Sequence, residues 1–300
     1  MTRAIGIDIG GSKTAIGLID LTRGEVLAEE ILDTPLLAET GLAYVAQLKE
    51  SVAKLRADVE VSKIGIGICE LVDNEGKIVS AHRVCVCERE LRQAFSDFET
   101  IVIESDVHAA ALAEARFGAG RDAAQWVYVN AGTGISSVLM KGEDCYNGAH
   151  GWAICLGMSP VDLANGHDGT DVIEDSAGGA GLLRRARASG LAVETARDLL
   201  SAAERGEPGA VRLLHRGGHI LGNAIALLVN MLDPQRVVVG GGLASLDGPY
   251  WRALGEAARL GIWHQPAKNV QIHQSSLKGR AGMIGAALAN GRLQVYSRAS

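Results

Sequence analysis

Two stretches of this chain align without a gap: Ile7-Asp8-Ile9-Gly10-Gly11-Ser12 and Val129-Asn130-Ala131-Gly132-Thr133-Gly134. Each reads as an apolar strand, a short polar residue at its tip, a glycine-rich turn and a second apolar strand. Two similar α/β halves facing each other leave a weak internal repeat of this kind. Length agrees, since 300 residues suit two domains of roughly 100–200 residues each. Two unrelated glycine turns would align as well, so the repeat by itself does not decide between duplication and chance.

The rest of the chain reads as alternating strands and helices. Strands are expected at Ala4–Ile9, Thr14–Ile19, Lys63–Ile68, Lys77–Ser80, Thr100–Glu104, Trp126–Val129, Ile135–Met140 and Arg236–Val239. Helix spacing is seen at Leu42–Leu55, Glu88–Phe95, Val107–Phe117, Arg212–Leu232 and Met283–Ala289. From Ala177 onward the chain turns mostly helical, and Gly118–Ala123 looks like a domain boundary.

Composition excludes several classes. A hydrophobic share of 47% is enough for two cores and rules out disorder. The net charge of −6, with no basic cluster, argues against a nucleic-acid surface. No apolar run approaches the roughly 18–20 residues that span a bilayer. The chain opens on a strand pattern instead of a charged and then apolar leader, so no secretory signal is expected. Cys69, Cys85, Cys87, Cys145 and Cys155 form an odd, scattered set. That points to reduced thiols in a cytoplasm and not to a disulfide framework. Cys85 and Cys87 read as strand or loop residues.

Three places carry chemistry. The first turn offers backbone amides unobstructed by side chains, with Ser12, Lys13 and Thr14 as further donors. Asp8 at its strand tip suits Mg²⁺ held through water, because that ion keeps much of its hydration shell. The turn Gly132-Thr133-Gly134 is the second candidate phosphate holder. Neither turn matches the G-x-x-x-x-G-K-[ST] loop, since Ser12 separates Gly11 from Lys13. Nor does Gly132-Thr133-Gly134 match the dinucleotide fingerprint, as position 137 is Ser and a strand follows. Either turn alone reads first as that of an ordinary hairpin. In the third place, Ile101–Asp106 runs off a buried strand into a helix, where ligands of α/β sheets gather. Asp106 there can accept a hydroxyl proton during phosphoryl transfer, or simply cap the helix. His108, on the helix, reads as packing or support for the site.

With these sites in order, the chain resembles the ROK family of ATP-dependent sugar kinases over nearly its whole length. Asp8-Ile9-Gly10-Gly11-Ser12-Lys13 looks like the family's first phosphate motif. Glu104-Ser105-Asp106-Val107-His108-Ala109-Ala110-Ala111 resembles its E-N-D-A-N-A-A-A motif, which implies that Asp106 is the catalytic base. Gly132-Thr133-Gly134-Ile135 looks like the second phosphate motif. Asn230–Pro234 leading to Val239-Gly240-Gly241-Gly242 is similar to the adenosine-side segment, and Gly282–Ala287 to the closing helix. The resemblance implies two actin-like, ribonuclease H-like α/β ATPase domains around a cleft. The smaller would hold residues 1–117 plus a C-terminal helix at about 285–300, and the larger residues 118–284. It also implies ATP and Mg²⁺ as cofactors, a cytoplasmic setting and a homodimer.

The departures concern the acceptor. Where the family has N-G-x-A-G-E-I-G-H, this chain reads His150-Gly151-Trp152-Ala153-Ile154-Cys155-Leu156-Gly157-Met158. Cys155 stands for the sugar-holding Glu and Met158 for the His. Ser105 replaces the Asn before Asp106, His82 falls near the Asn of an A-P-N segment, and Glu174 matches a second sugar-binding Glu. The zinc motif is replaced by Asn165–Asp171, where His167 and Asp168 fall short of the four ligands a zinc site needs. No structural zinc is expected. A site built to pair with a substrate hydroxyl discriminates by about 10⁴ or more, and Cys155 removes such an acceptor. The expected reaction is ATP-dependent phosphorylation of a hydroxyl on a modified sugar, aminosugar or C7-cyclitol. An ordinary glucokinase and a silent sugar or nucleotide sensor are the alternatives. A start directly on a strand argues against a DNA-binding repressor.

Overall fold

The computed structural model describes residues 3–35, 41–57, 59–161, 171–245 and 247–289. In chain order the elements are β1 (Arg3–Ile9), β2 (Lys13–Asp20), β3 (Glu25–Asp33), α1 (Leu42–Leu55), β4 (Lys63–Ile68), α2 (Glu88–Ala94), β5 (Thr100–Ser105) and α3 (Asp106–Phe117). Then come β6 (Gln125–Ala131), β7 (Ile135–Lys141), β8 (Asp144–Cys145), α4 (Ile173–Ala177), α5 (Gly179–Ala188), α6 (Ala196–Glu204) and α7 (Pro208–Leu232). The chain ends with β9 (Arg236–Gly240), α8 (Pro249–Gly261), β10 (Gln271–Gln274) and α9 (Ala281–Ala289). Of the C-terminal helix expected over about 285–300, residues 290–300 lie outside the described residues.

The chain divides into two compact units. The first takes Met1–Asp122, Gly142–Ala153 and Gly279–Ser300, and the second Ala123–Lys141 and Ile154–Lys278. Segment 142–153, inside the span expected for the larger domain, thus groups with the first unit. Each unit has its own apolar core.

In the first unit the sheet order is β3-β2-β1-β4-β5. β1 pairs antiparallel with β2 and parallel with β4, which pairs parallel with β5. In the second unit β6 pairs antiparallel with β7 and parallel with β9, which pairs parallel with β10. Both units therefore use one plan, a hairpin whose first strand continues into a parallel sheet. The two aligned turns close the equivalent hairpins, at Ile9↔Thr14 and Ala131↔Ile135.

Glycines let α9 lie directly on the first sheet. A Cβ at Gly6 would stand 1.9 Å from Met283 O, and one at Gly65 1.7 Å from Ala286 O. One at Gly285 would stand 1.6 Å from Ala109 O, so α3 and α9 also touch backbone to backbone. This packing seats α9 on the middle of β1 and on β4, with α3 against it.

The strand expected at Lys77–Ser80 is absent. Only an isolated Val72↔Ile78 bridge forms there. Asp73 Oδ1 accepts the amides of Glu75 and Lys77, both at 2.9 Å, which makes a tight turn. Beyond it the amides of His82, Arg83 and Val84 turn to the Glu70 carboxylate, so no ladder continues. Among the described residues no helix is long and apolar enough to cross a membrane.

Candidate active site

In the first unit three neighbouring strand ends bring the reactive candidates together. Asp8 lies opposite Gly67 in the β1–β4 register, and Ile68 opposite Ser105 in the β4–β5 register. Asp106 opens α3 immediately after β5. Its Cα would be 3.5 Å from a Cβ at Gly67, so the start of α3 rests on bare strand.

Asp8 is half-buried and lies against the first turn of α9, where a Cβ on Gly282 would come within 2.1 Å of Asp8 Oδ2. A helix N-terminus favours an anion. Burial works against it, and pushes the Asp8 carboxyl from 3.8 up to about 6. Cys69, the first residue after β4, donates its amide to Ile9 O at 3.0 Å. Burial pushes its thiol upward, and the negative charges of Asp106, Glu70 and Asp8 add to the effect. Cys69 is therefore a neutral thiol close to both carboxylates.

Around Asp106, Glu104 accepts from His108 Nδ1 at 3.0 Å and from the Ser105 amide at 2.9 Å. His108 is buried and supports the start of α3 from below. Ser105 is the N-cap of α3, and its hydroxyl makes no capping bond.

The first turn closes by Gly10 N–H donating to Lys13 O at 3.0 Å, so that amide serves the turn itself. Ser12 and Lys13 are exposed and Gly11 is partly so. Thr14, expected as a phosphate donor, does not serve in that role. It is fully buried, and its hydroxyl is shared with Thr34 Oγ1 at 2.9 Å and with the Tyr44 hydroxyl. The side chain at this position of the returning strand points into the core. Thr14→Val is thus expected to lower stability by about 1–2 kcal/mol while the KM for ATP moves less than about twofold. Denaturant unfolding and steady-state kinetics on the same preparation check both.

The acceptor candidates of this unit lie on two loops. His82 is exposed in the loop before α2. His150 is exposed and packs on Trp152 with ring centroids 5.2 Å apart. Gly151 between them has φ +92, and a Cβ there would stand 2.8 Å from Val72 O, so only glycine suits this close approach.

The second unit gathers its candidates around the other turn. Gly132 N–H donates to Gly134 O at 3.0 Å. Gly132 O and Thr133 O accept from the amides of Gly179 and Ala180 at the start of α5, at 2.9 and 3.0 Å. Gly241, at φ +88, would place a Cβ 2.3 Å from Ala131 O, so it is the spacer beside this turn. Gly242 is exposed. Gly240, expected to meet nucleotide, is instead buried at the end of β9, where a Cβ would stand 2.0 Å from the Tyr128 hydroxyl. Its lack of a side chain serves packing.

Glu174 reaches the same turn: Oε2 accepts from Ile135 N–H at 2.9 Å and would lie 2.3 Å from a Cβ on Gly134. Gly157 backs onto Ile135 O, which a Cβ would approach to 2.1 Å. The exposed Cys155 and Met158 flank that contact. Glu174 and Gly157 therefore meet at the first residue of β7, with Cys155 and Met158 near Gly157 in the chain. No group of three or more possible metal ligands occurs among the described residues. His167 and Asp168 lie outside them.

The sequence reading assigns no individual site role to Cys69, Glu70, Trp152 or Gly282. Cys69 and Glu70 had a usable signal, since they follow the buried run Ile64–Ile68 at a strand's carboxyl end, as Asp106 follows β5.

The ROK family model matches residues 4–291. A glucokinase of Streptomyces coelicolor is 28% identical over 96% of this chain and 97% of its own length. An N-acetylmannosamine kinase of Escherichia coli O157:H7 is 30% identical over 95% of this chain and 97% of its own. The crystal structure of a ROK family glucokinase from Streptomyces griseus, in complex with glucose and AMPPNP, matches with a TM-score of 0.84 at 26% identity. That match covers 97% of this chain and 99% of that one. The two hairpin-led sheets are those of the actin-like ATPase fold, and the chain belongs to the ROK family.

Proposed function

We propose that this carbohydrate kinase transfers the γ-phosphoryl group of ATP to a hydroxyl of a modified sugar, aminosugar or C7-cyclitol. The observation that carries the reading is the pair Asp8 and Asp106 at the strand ends on either side of β4, in a chain whose acceptor segments lack the family's usual carboxylate and imidazole. Asp106, at a helix N-terminus, where an anion is favoured, accepts the proton of the attacking hydroxyl. Gly11, Ser12 and Lys13 of the first turn, and Gly132–Gly134 of the second, hold phosphate oxygens. His82 and His150 are the acceptor candidates of the first unit, and Cys155, Met158 and Glu174 those of the second.

The residues fit a magnesium ion. Asp8 is a carboxylate whose burial penalty, seen in its rise to about 6, a cation offsets. Mg²⁺ takes one or two carboxylates, water and phosphate oxygens. When bound it neutralises the charge gathering on the phosphates. Asp8 would hold it through water, and Asp106 keeps the separate task of taking the proton.

The names of the relatives favour glucose as a second reading. ADP release measured with glucose, N-acetylmannosamine, kanosamine, other aminosugars and valiolone separates the two. Turnover with a modified substrate at a kcat/KM well above that with glucose is expected. Preference for glucose overturns the acceptor assignment, and no ADP with any acceptor leaves the sensor. On the family resemblance we also read the chain as a cytoplasmic homodimer without zinc, which sedimentation and metal analysis check.

A further inference from the structure

The residues after β4 tie the acceptor loops of the first unit to the strand end that lies between those of Asp8 and Asp106. Glu70 is only 4% exposed, yet its carboxylate takes four donors. Oε2 accepts from Ser80 Oγ at 2.5 Å and from His82 N–H at 2.9 Å. Oε1 accepts from Arg83 N–H at 2.5 Å and from Val84 N–H at 2.8 Å. Ser80 Oγ in turn accepts from Leu71 N–H at 2.8 Å, closing the loop back onto the residue after Glu70. Burial pushes this carboxyl up, but the hydrogen bonds outweigh it and hold the group below the usual carboxylate range. A little further on, Gly151 packs on Val72 and Asp73, and Asn74 Nδ2 donates to Ala149 O at 3.2 Å.

Closing the hairpin does not require this arrangement, because the Asp73 turn closes itself. What Glu70 adds is a fixed path for residues 80–84. Three successive amides form a nest, the geometry that proteins use for anions, and here the chain's own carboxylate fills it. With those amides turned inward, the side chains of His82 and Arg83 are exposed. We propose that Glu70 is a positioning residue for acceptor binding, holding residues 80–84 so that His82 is presented to the acceptor hydroxyls. This rests on the assignment of His82 to the acceptor made above. Glu70→Gln is the direct test, since an amide keeps one acceptor oxygen and sets an NH₂ against two of the four donors.

Three variants, Glu70→Gln, His82→Ala and the double, are compared with wild type for acceptor KM, ATP KM, kcat and amide exchange at residues 82–84. Glu70→Gln is expected to raise the acceptor KM about tenfold, leaving kcat and the ATP KM within about twofold. Exchange at 82–84 should quicken, and the double variant should be no worse than the worse single. An unchanged acceptor KM, or unchanged exchange, in folded Glu70→Gln overturns the proposal. A raised KM in Glu70→Gln beside a wild-type His82→Ala supports the latch and removes His82 from the acceptor site. If Glu70→Gln does not fold, Ser80→Ala removes one donor and keeps the charge. A rise in acceptor KM of about threefold with faster exchange is then expected, and no change in either overturns the proposal.

Discussion

Asp106→Asn should lower kcat about 10³-fold while ATP still binds with a Kd within about threefold of wild type. Asn keeps the size and removes only the ability to take a proton, so the loss falls on the chemical step. The fold should survive, because Asp106 is half-buried at the outer end of α3 and Ser105 remains the N-cap. Losing a favourable charge at a helix N-terminus costs about 0.3–1 kcal/mol, a shift of a few degrees in Tm. Steady-state ADP release and nucleotide titration, with Tm as the control, decide the matter. A kcat within tenfold of wild type would mean that Asp106 is not the base. An equal loss of ATP affinity would mean that it holds nucleotide instead.

Much of this arrangement was legible in the sequence because periodicity and glycine turns act locally. β1, β4, α1 and α3 lie within a residue of where apolar spacing put them. The two turns stood out because a run of small residues between two apolar strands almost always marks a tight reversal. Elements that depend on tertiary context were harder. β3 is an edge strand that carries Leu27 and Ile31 on its exposed face, so its alternation is blurred. α8 buries Tyr250, Ala253, Leu254, Ala257 and Ala258, a regular helical stripe, but mostly of alanine and bracketed by Gly248 and Gly261.

The site divides along the same line. That Asp8 and Asp106 stand at strand ends follows from pattern alone. Whether a hydroxyl in such a turn faces ligand or core does not, and Thr14 shows why: its partners Thr34 and Tyr44 lie 20 and 30 residues away. Gly240 is similar, since only the position of Tyr128 shows that its missing Cβ serves packing. Glu70 was invisible for the same reason. A lone Glu between Cys69 and Leu71 gains its meaning from amides 12 to 14 residues further along.

Asp8→Asn should make the protein more stable and less active. The folded protein holds the Asp8 carboxyl at about 6, against 3.8 for a free side chain, because burial opposes its charge. Below 3.8 both folded and unfolded chains carry the proton, and the group costs nothing. As pH rises through that window the unfolded chain loses the proton first, so stability falls until the pH passes about 6. A shift of this size is worth up to about 3 kcal/mol at neutral pH. Asn has nearly the same shape and no charge, so it removes this cost while staying clear of Gly282 in α9. In metal-free buffer the Tm of Asp8→Asn should exceed wild type by several degrees at about pH 7.5, and the gap should narrow toward about pH 4.5. In magnesium and ATP the same change should reduce kcat/KM about 10²–10³-fold, the order of loss when one preorganised electrostatic group leaves an active site. A variant no more stable at neutral pH would mean that Asp8 meets enough water to keep its ordinary acidity. Undiminished turnover would mean that the ion, and with it the terminal phosphate, is held elsewhere. Both effects arise from one placement: a carboxylate held in poor solvation at a strand end is unfavourable to the empty protein and attractive to a cation.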